Sequence, residues 1–299
     1  MATTDWHILG PGAIGSLFAW YLNDAHLRVK LLTRHPGESA RLITLEDQGH
    51  LATHGFHVDH SDSPIRRLLI TVKAHQTATA LDTIAHRITP DTVLLFLQNG
   101  MGAWQIAEQR FPDSPCLLGT TTEGAWRAAD HHIVHAGRGE TWIGTLQPRW
   151  QTAVDGVVQQ WRPTLFRPQA DPHILTRLWR KLAINCAINP LTVLYDCRNG
   201  ELLEKPAALR QMQTICEEVE QVMCAALGAS AGQPLFELAC EVARKTGANQ
   251  SSMLQDYRRG NPTEIEFITG YLVREATRLN VATPENAAVL AAVRQATAR

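Results

Sequence analysis

The chain has 299 residues, a formal net charge of -1 and a sequence pI near 6.9. That length buries a sizeable core and suits two domains, while the near-neutral balance supplies no long-range field for nucleic acid or an anionic membrane. No apolar run is long enough to span a bilayer, and the N-terminus enters a strand without a basic segment, apolar core and cleavage site. The expectation is a cytoplasmic protein with no membrane and no nucleic-acid partner. Six cysteines (Cys116, Cys186, Cys197, Cys216, Cys224, Cys240) form no C-x-x-C pair and read as reduced core residues.

The first element is an apolar strand, His7-Ile8-Leu9, running into Gly10-Pro11-Gly12-Ala13-Ile14-Gly15. Each glycine has a separate task in a dinucleotide turn. Gly10 permits the tight bend, Gly12 leaves room for a pyrophosphate, and Gly15 lets the next helix pack on the strand. Pro11, Ala13 and Ile14 complete this cofactor-binding turn. Leu17, Phe18, Tyr21 and Leu22 then fall at helical spacing, so a helix N-terminus with its unpaired amides lies beside the turn. The second strand, residues 28–34, ends in Thr33-Arg34 where an NAD-reading chain would carry an acid, and Asp24 comes too early to reach a ribose. Arg34 suits the 2′-phosphate of NADPH, with an ordinary surface arginine as the plain alternative.

Continuous apolar strands recur at residues 68–72, 93–97 and 116–119, which suits a parallel sheet covered on both faces, with helices over 76–87 and 103–110 between them. The segment from Ile133 to Gly144, broken by Gly137-Arg138-Gly139, reads as an antiparallel hairpin. A three-proline stretch at Pro163, Pro168 and Pro172 sets the boundary between a dinucleotide-binding domain, 1–168, and a helical substrate domain, 169–299. Beyond it helical periodicity dominates, most clearly in Leu209, Met212, Ile215, Cys216, Val219, Val222, Met223 and Ala226. The fold class expected is an α/β Rossmann-type N-terminal domain plus an all-α C-terminal domain, whose apolar stripes would also support a homodimer.

Ligands of open α/β sheets bind outside the carboxyl ends of the strands, which makes Lys73 and Asn99 candidate contacts. A solvated strand-end lysine and an Asn-Gly turn are the structural alternatives. In the helical half Lys181, Asn185 and Asn189 recur at i, i+4 and i+8, one row of an ammonium and two amides among apolar neighbours. Polar groups in such a place need partners, and a substrate carbonyl and hydroxyls would supply them; amides bonded to nearby backbone and a snorkelling lysine are the alternative. Desolvation would lower the lysine pKa toward a range useful for proton donation. Asn261, Pro262 and Glu264 have the spacing of a helix capping box. Of thirteen histidines the tightest group, His131, His132 and His135, alternates across a strand, does not converge on an ion, and reads as a solvated hairpin with no metal.

These motifs together resemble the 2-dehydropantoate 2-reductase (ketopantoate reductase) family. The resemblance rests on the glycine turn, Val72-Lys73-Ala74, Gln98 to Gly102, Gly119 to Thr122, Leu178 to Pro190, Asn199 to Leu202, Ser251 to Asp256 and Thr263-Glu264-Ile265. It implies reduction of 2-dehydropantoate to (R)-pantoate with NADPH, in the pantothenate branch leading to coenzyme A. Lys181 would be the general acid and Glu264 would orient the substrate hydroxyl. Asn185, Asn189, Asn199 and Ser252 would bind substrate, with Asn99 between cofactor and substrate. Arg34 and Lys73 would contact the adenosine phosphate region, with the backbone near Ala125 beneath the cofactor. One departure is Glu123, an acid that would oppose an anionic ligand unless it points away. The alternatives are a reductase of another branched 2-keto acid and a non-catalytic NADPH-sensing protein.

Overall fold

The computed structural model describes residues 5–34, 37–228 and 233–298. The chain forms two units: one holds Met1–Gln98 and Ala103–Ile174, the other Asn99–Gly102 and Leu175–Arg299.

The first unit runs β1 (Trp6–Leu9), α1 (Ala13–Asp24), β2 (Val29–Leu32), β3 (Ala40–Asp47), β4 (His50–Val58), β5 (Arg67–Ile70), α2 (Thr77–Ile84), β6 (Val93–Phe96), α3 (Ala103–Arg110), β7 (Cys116–Thr121), β8 (Gly124–Ala129), β9 (His132–Gly137), β10 (Thr141–Gly144), α4 (Gln151–Trp161) and β11 (Gln169–Ala170). Among the described residues the strands make one sheet in the order β11-β10-β7-β6-β5-β1-β2-β4-β3-β9-β8. Its centre, β2, β1, β5, β6 and β7, is parallel and built from the apolar runs seen in the sequence, because both faces are covered. The β3–β4 hairpin was not foreseen. It adds to β2 through β4, and β4 exposes much of its length, so its sequence carries little apolar signal.

Residues 15–22 of α1 are all buried, as expected of a helix apolar around its whole circumference. On one side Phe18 stacks on Phe166 at 3.9 Å and lies 5.5 Å from Trp161, which in turn meets Trp6. Elsewhere α1 packs against β2, β3, β8 and β9. Trp161 closes α4, a helix the sequence reading passed over.

The expected hairpin over 133–144 needs correction. Residues 132–144 form a single arm whose partner is 116–129: β9 pairs with β8 and β10 with β7, both antiparallel, and Thr122 N donates to Glu140 O between them. The turn is at Asp130-His131, with His131 at φ 67°, and Gly137-Arg138-Gly139 is an irregularity within the arm. Gly139 is required because a side chain on it would collide with the Thr122 backbone, whereas Gly137 faces open space. The histidines of this arm are not all solvated either. His135 is buried, 2.7 Å from Glu123 Oε2 and 3.2 Å from the Tyr21 hydroxyl, which donates to Asp47. Glu123 therefore points into the core, as required if an anion binds nearby.

The second unit contains α5 (Ile174–Leu194), α6 (Glu201–Glu204), α7 (Pro206–Leu227), α8 (Leu235–Lys245), α9 (Ser252–Arg258), α10 (Thr269–Arg278) and α11 (Pro284–Thr297), with no strand among its described residues. The apolar stripe on α7 is consumed internally, since Met212, Ile215, Val219, Val222 and Met223 are fully buried. Proline opens α7, and Gly228 at φ 65° closes it with its amide on Cys224 O. From mid-α7 the buried carboxylate of Glu218 accepts from the Glu285 and Asn286 amides, capping α11 across the unit.

Candidate active site

In the first unit the carboxyl ends of β1, β5 and β6 carry the glycine turn, Thr71–Lys73 and Gln98. Gly10 has φ +90°, and a Cβ there would stand 2.5 Å from Val72 Cγ1 and 2.7 Å from its amide nitrogen. A side chain on Gly15 would collide with the Gly10 carbonyl and Thr71 Oγ1, whereas one on Gly12 would meet only the Gly10 carbonyl at 4.0 Å. The first and third glycines thus serve packing, and the second leaves an open face. Ser16 N donates to Gly12 O, but no side chain caps α1 and its first turn holds no acid. An uncapped helix start over a clear glycine fits a pyrophosphate. Pro11, Ala13 and Ile14 lie in this turn and first helical residues.

Two residues not singled out for a role brace this cradle. Thr71 Oγ1 donates to the Gly10 carbonyl at 2.8 Å, and Gln98 Nε2 donates to Val72 O at 2.6 Å and Thr77 Oγ1 at 2.8 Å, holding the segment that carries Lys73. Their signal is position alone: each follows an apolar strand whose end faces the turn. Arg34 is exposed just after β2, Lys73 is half-buried, and Ala125 sits half-buried in β8 opposite His135.

In the second unit Lys181, Asn185 and Asn189 lie along α5 as their spacing requires. Burial pushes the Lys181 ammonium down to about 8, against the opposing pull of the Glu264 carboxylate. One turn on, the Asn185 amide nitrogen is buried with no hydrogen-bond partner in the structure. Asn189 is buried, and its carbonyl accepts from Thr192 Oγ1, which lies 2.6 Å from Ser251 Oγ. Asn199 Nδ2 donates to Thr246 Oγ1 at 2.9 Å, while its Oδ1 is buried and unpartnered.

Ser252 is exposed at the start of α9, whereas Ser251 is buried and accepts from Leu254 N as the N-cap. Ser251 thus serves the helix cap and Ser252 leaves its hydroxyl exposed, a division the sequence does not show. The capping-box alternative for Glu264 is not realised, because residues 261–264 precede only a short 3-10 turn, Ile265–Phe267, and no side chain caps it. Glu264 is buried instead. Asn99 arrives in the same unit through its loop: Met101 N donates to Phe267 O at 2.8 Å, and a side chain on Gly100 (φ +76°) would collide with the Phe267 backbone. The structure therefore gathers Lys181 and Glu264 electrostatically and docks the Asn99 loop on the segment following Glu264.

A parallel sheet with an uncapped glycine turn, joined to a helical unit holding a desolvated lysine, defines a dinucleotide-dependent oxidoreductase of two units. The family pattern "Ketopantoate reductase PanE/ApbA" matches residues 6–148, and its C-terminal counterpart, "Ketopantoate reductase PanE/ApbA C terminal", matches residues 173–297. The chain belongs to the ketopantoate reductase family. It is 37% identical over 285 residues to the 2-dehydropantoate 2-reductase of Vibrio cholerae, covering 94% of each chain. Among solved structures it resembles D-mandelate dehydrogenase in a ternary complex with NADH and anilino(oxo)acetate (TM-score 0.90, 21% identity, 99% of each chain). It also resembles a ketopantoate reductase from Ralstonia eutropha JMP134 (TM-score 0.88, 22% identity, 99% of each chain).

Proposed function

We propose that the chain reduces the keto group of 2-dehydropantoate to give (R)-pantoate, with NADPH as the electron donor. The observation that carries the reading is the Lys181 amine, desolvated to about 8 and opposed by the Glu264 carboxylate. The bound dinucleotide would supply hydride to the keto carbon. As negative charge develops on the keto oxygen, Lys181 Nζ–H neutralises it and gives up its proton, and a group with a pKa near the working pH does this best. Glu264 accepts a hydrogen bond from the substrate hydroxyl. The unpartnered Asn185 donor and Asn199 acceptor take the substrate's remaining polar atoms, together with Asn189, Ser252 and Asn99.

Gly10 to Gly15 hold the pyrophosphate, the backbone near Ala125 lies beneath the cofactor, and Arg34 and Lys73 bind the adenosine phosphates. Arg34→Ala then weakens NADPH much more than NADH in a fluorescence titration, and equal losses would remove Arg34 from coenzyme selection. A homodimer belongs to the same reading and is checked by sedimentation velocity.

A second reading has its own support: the D-mandelate dehydrogenase neighbour is a ternary complex with NADH and anilino(oxo)acetate on this fold. Steady-state oxidation of NADPH with 2-dehydropantoate against 2-oxoisovalerate separates the two. A strong preference for 2-dehydropantoate supports the first reading, and equal kcat/KM values would overturn it.

A further inference from the structure

Beside the glycine turn the first unit holds a cavity of about 300 Å³ that no role above uses. Its floor is Pro11, Ser16, Ile43 and Ile133, and its rim carries Glu38, Arg41, Arg127 and Asp130. Arg127 Nη2 donates to the Pro11 carbonyl at 3.3 Å, which ties β8 to the turn, and its Asp130 neighbour is distant at 3.9 Å. Across the cavity Arg41 is engaged by a single carboxylate. Its Nε and Nη2 donate to Glu38 Oε1 and Oε2 at 2.8 and 2.7 Å, a two-pronged pair at the start of β3. The Arg41 hydrogen bond is the main reason that the Glu38 carboxyl lies below the usual range.

A carboxylate gripping a guanidinium by both oxygens occupies the geometry a phosphate monoester would take. The cavity adjoins the place where the pyrophosphate would rest, and in this fold the adenosine ribose follows the pyrophosphate toward the end of β2. The ribose therefore meets two opposed groups. A 2′-phosphate suits Arg41 and repels Glu38; a free 2′-hydroxyl suits the Glu38 carboxylate as a donor.

We infer that the Glu38–Arg41 pair sets coenzyme preference, with Arg41 leaving Glu38 to bind a 2′-phosphate in the cavity that Arg127 also lines. This rests on the dinucleotide reading of the glycine turn. Glu38 is an internal competitor for the phosphate, so besides Arg34 the chain holds a second arginine that favours NADPH and an acid that admits NADH.

The test is calorimetric binding of adenosine 2′,5′-bisphosphate and adenosine 5′-monophosphate to the full chain, with no turnover required. Arg41→Ala should weaken the bisphosphate by about 10- to 100-fold, the range of a lost charged hydrogen-bonded pair, and change the monophosphate by less than about twofold. Glu38→Gln should tighten the bisphosphate by several fold, and it preserves the side-chain volume should Arg41→Ala fold poorly. Equal loss of both ligands in Arg41→Ala, or no change of the bisphosphate in either variant, would overturn the inference and leave the dinucleotide reading standing. Failure of the unmodified chain to bind either ligand would overturn the dinucleotide reading itself.

Discussion

Two groups of buried polar side chains, one in each unit, are arranged differently, although single buried atoms without a partner occur in both units. In the first unit Asp59 accepts from Ser61 N at 3.0 Å and Arg87 Nη2 at 2.7 Å, with His7 Nε2 at 2.8 Å. Although burial opposes ionisation, these bonds hold its carboxyl well below the usual carboxylate range, while burial pushes His7 down despite Asp59. Glu123, His135, Tyr21 and Asp47 form a second chain of the same kind. In the second unit Asn185 Nδ2 and Asn199 Oδ1 are buried without partners, and Lys181 is desolvated. Where a carboxylate's bonds are met by the chain it serves the fold. Where a donor is left open one turn from a desolvated amine, as at Asn185, the chain keeps a cost that a ligand can relieve.

Substitutions can break this contrast. The largest effect is expected for Lys181→Ala, which should lower kcat by about two to four orders of magnitude while NADPH still binds by fluorescence titration. Lys181→Met should meanwhile raise Tm at pH 7. The lysine pKa is lower in the folded chain than the ordinary 10.5, so its cost is fully present below pH about 8 and is relieved as pH rises toward 10.5. Next comes Arg87→Met, which leaves the Asp59 carboxylate buried without its guanidinium and should cost about 3–5 kcal/mol in denaturant unfolding, with KM for the keto acid unchanged. Asn185→Ala should raise that KM by about 10- to 100-fold without lowering Tm, because the lost donor has no partner to strand. The smallest effects separate neighbouring serines. Ser251→Ala should cost about 1 kcal/mol of stability through the α9 cap, and Ser252→Ala should change KM alone.

Much of this contrast was legible in the sequence, for reasons that differ between residues. The β1 turn, α1 and the parallel strands were readable because burial on both faces makes their sequences continuously apolar. The Lys181 row was readable because α5 keeps a regular period. β3 and β4 were missed because β4 is largely exposed, and the arm 132–144 was paired wrongly because its glycines mark an irregularity instead of a turn. Glu123, His135 and Glu264 could not be oriented, since their surroundings come from residues distant in sequence. Arg41 and Glu38 gave no signal because the pair matters only once β3 places it beside the glycine turn.

The central claim is that a desolvated Lys181 donates the proton, and the pH dependence of kcat for NADPH oxidation with 2-dehydropantoate tests it most directly. The account predicts a rate that is level below pH about 8 and falls about tenfold per unit above it, as the ammonium loses its proton. A rate unchanged from pH 7 to beyond 10 would contradict it.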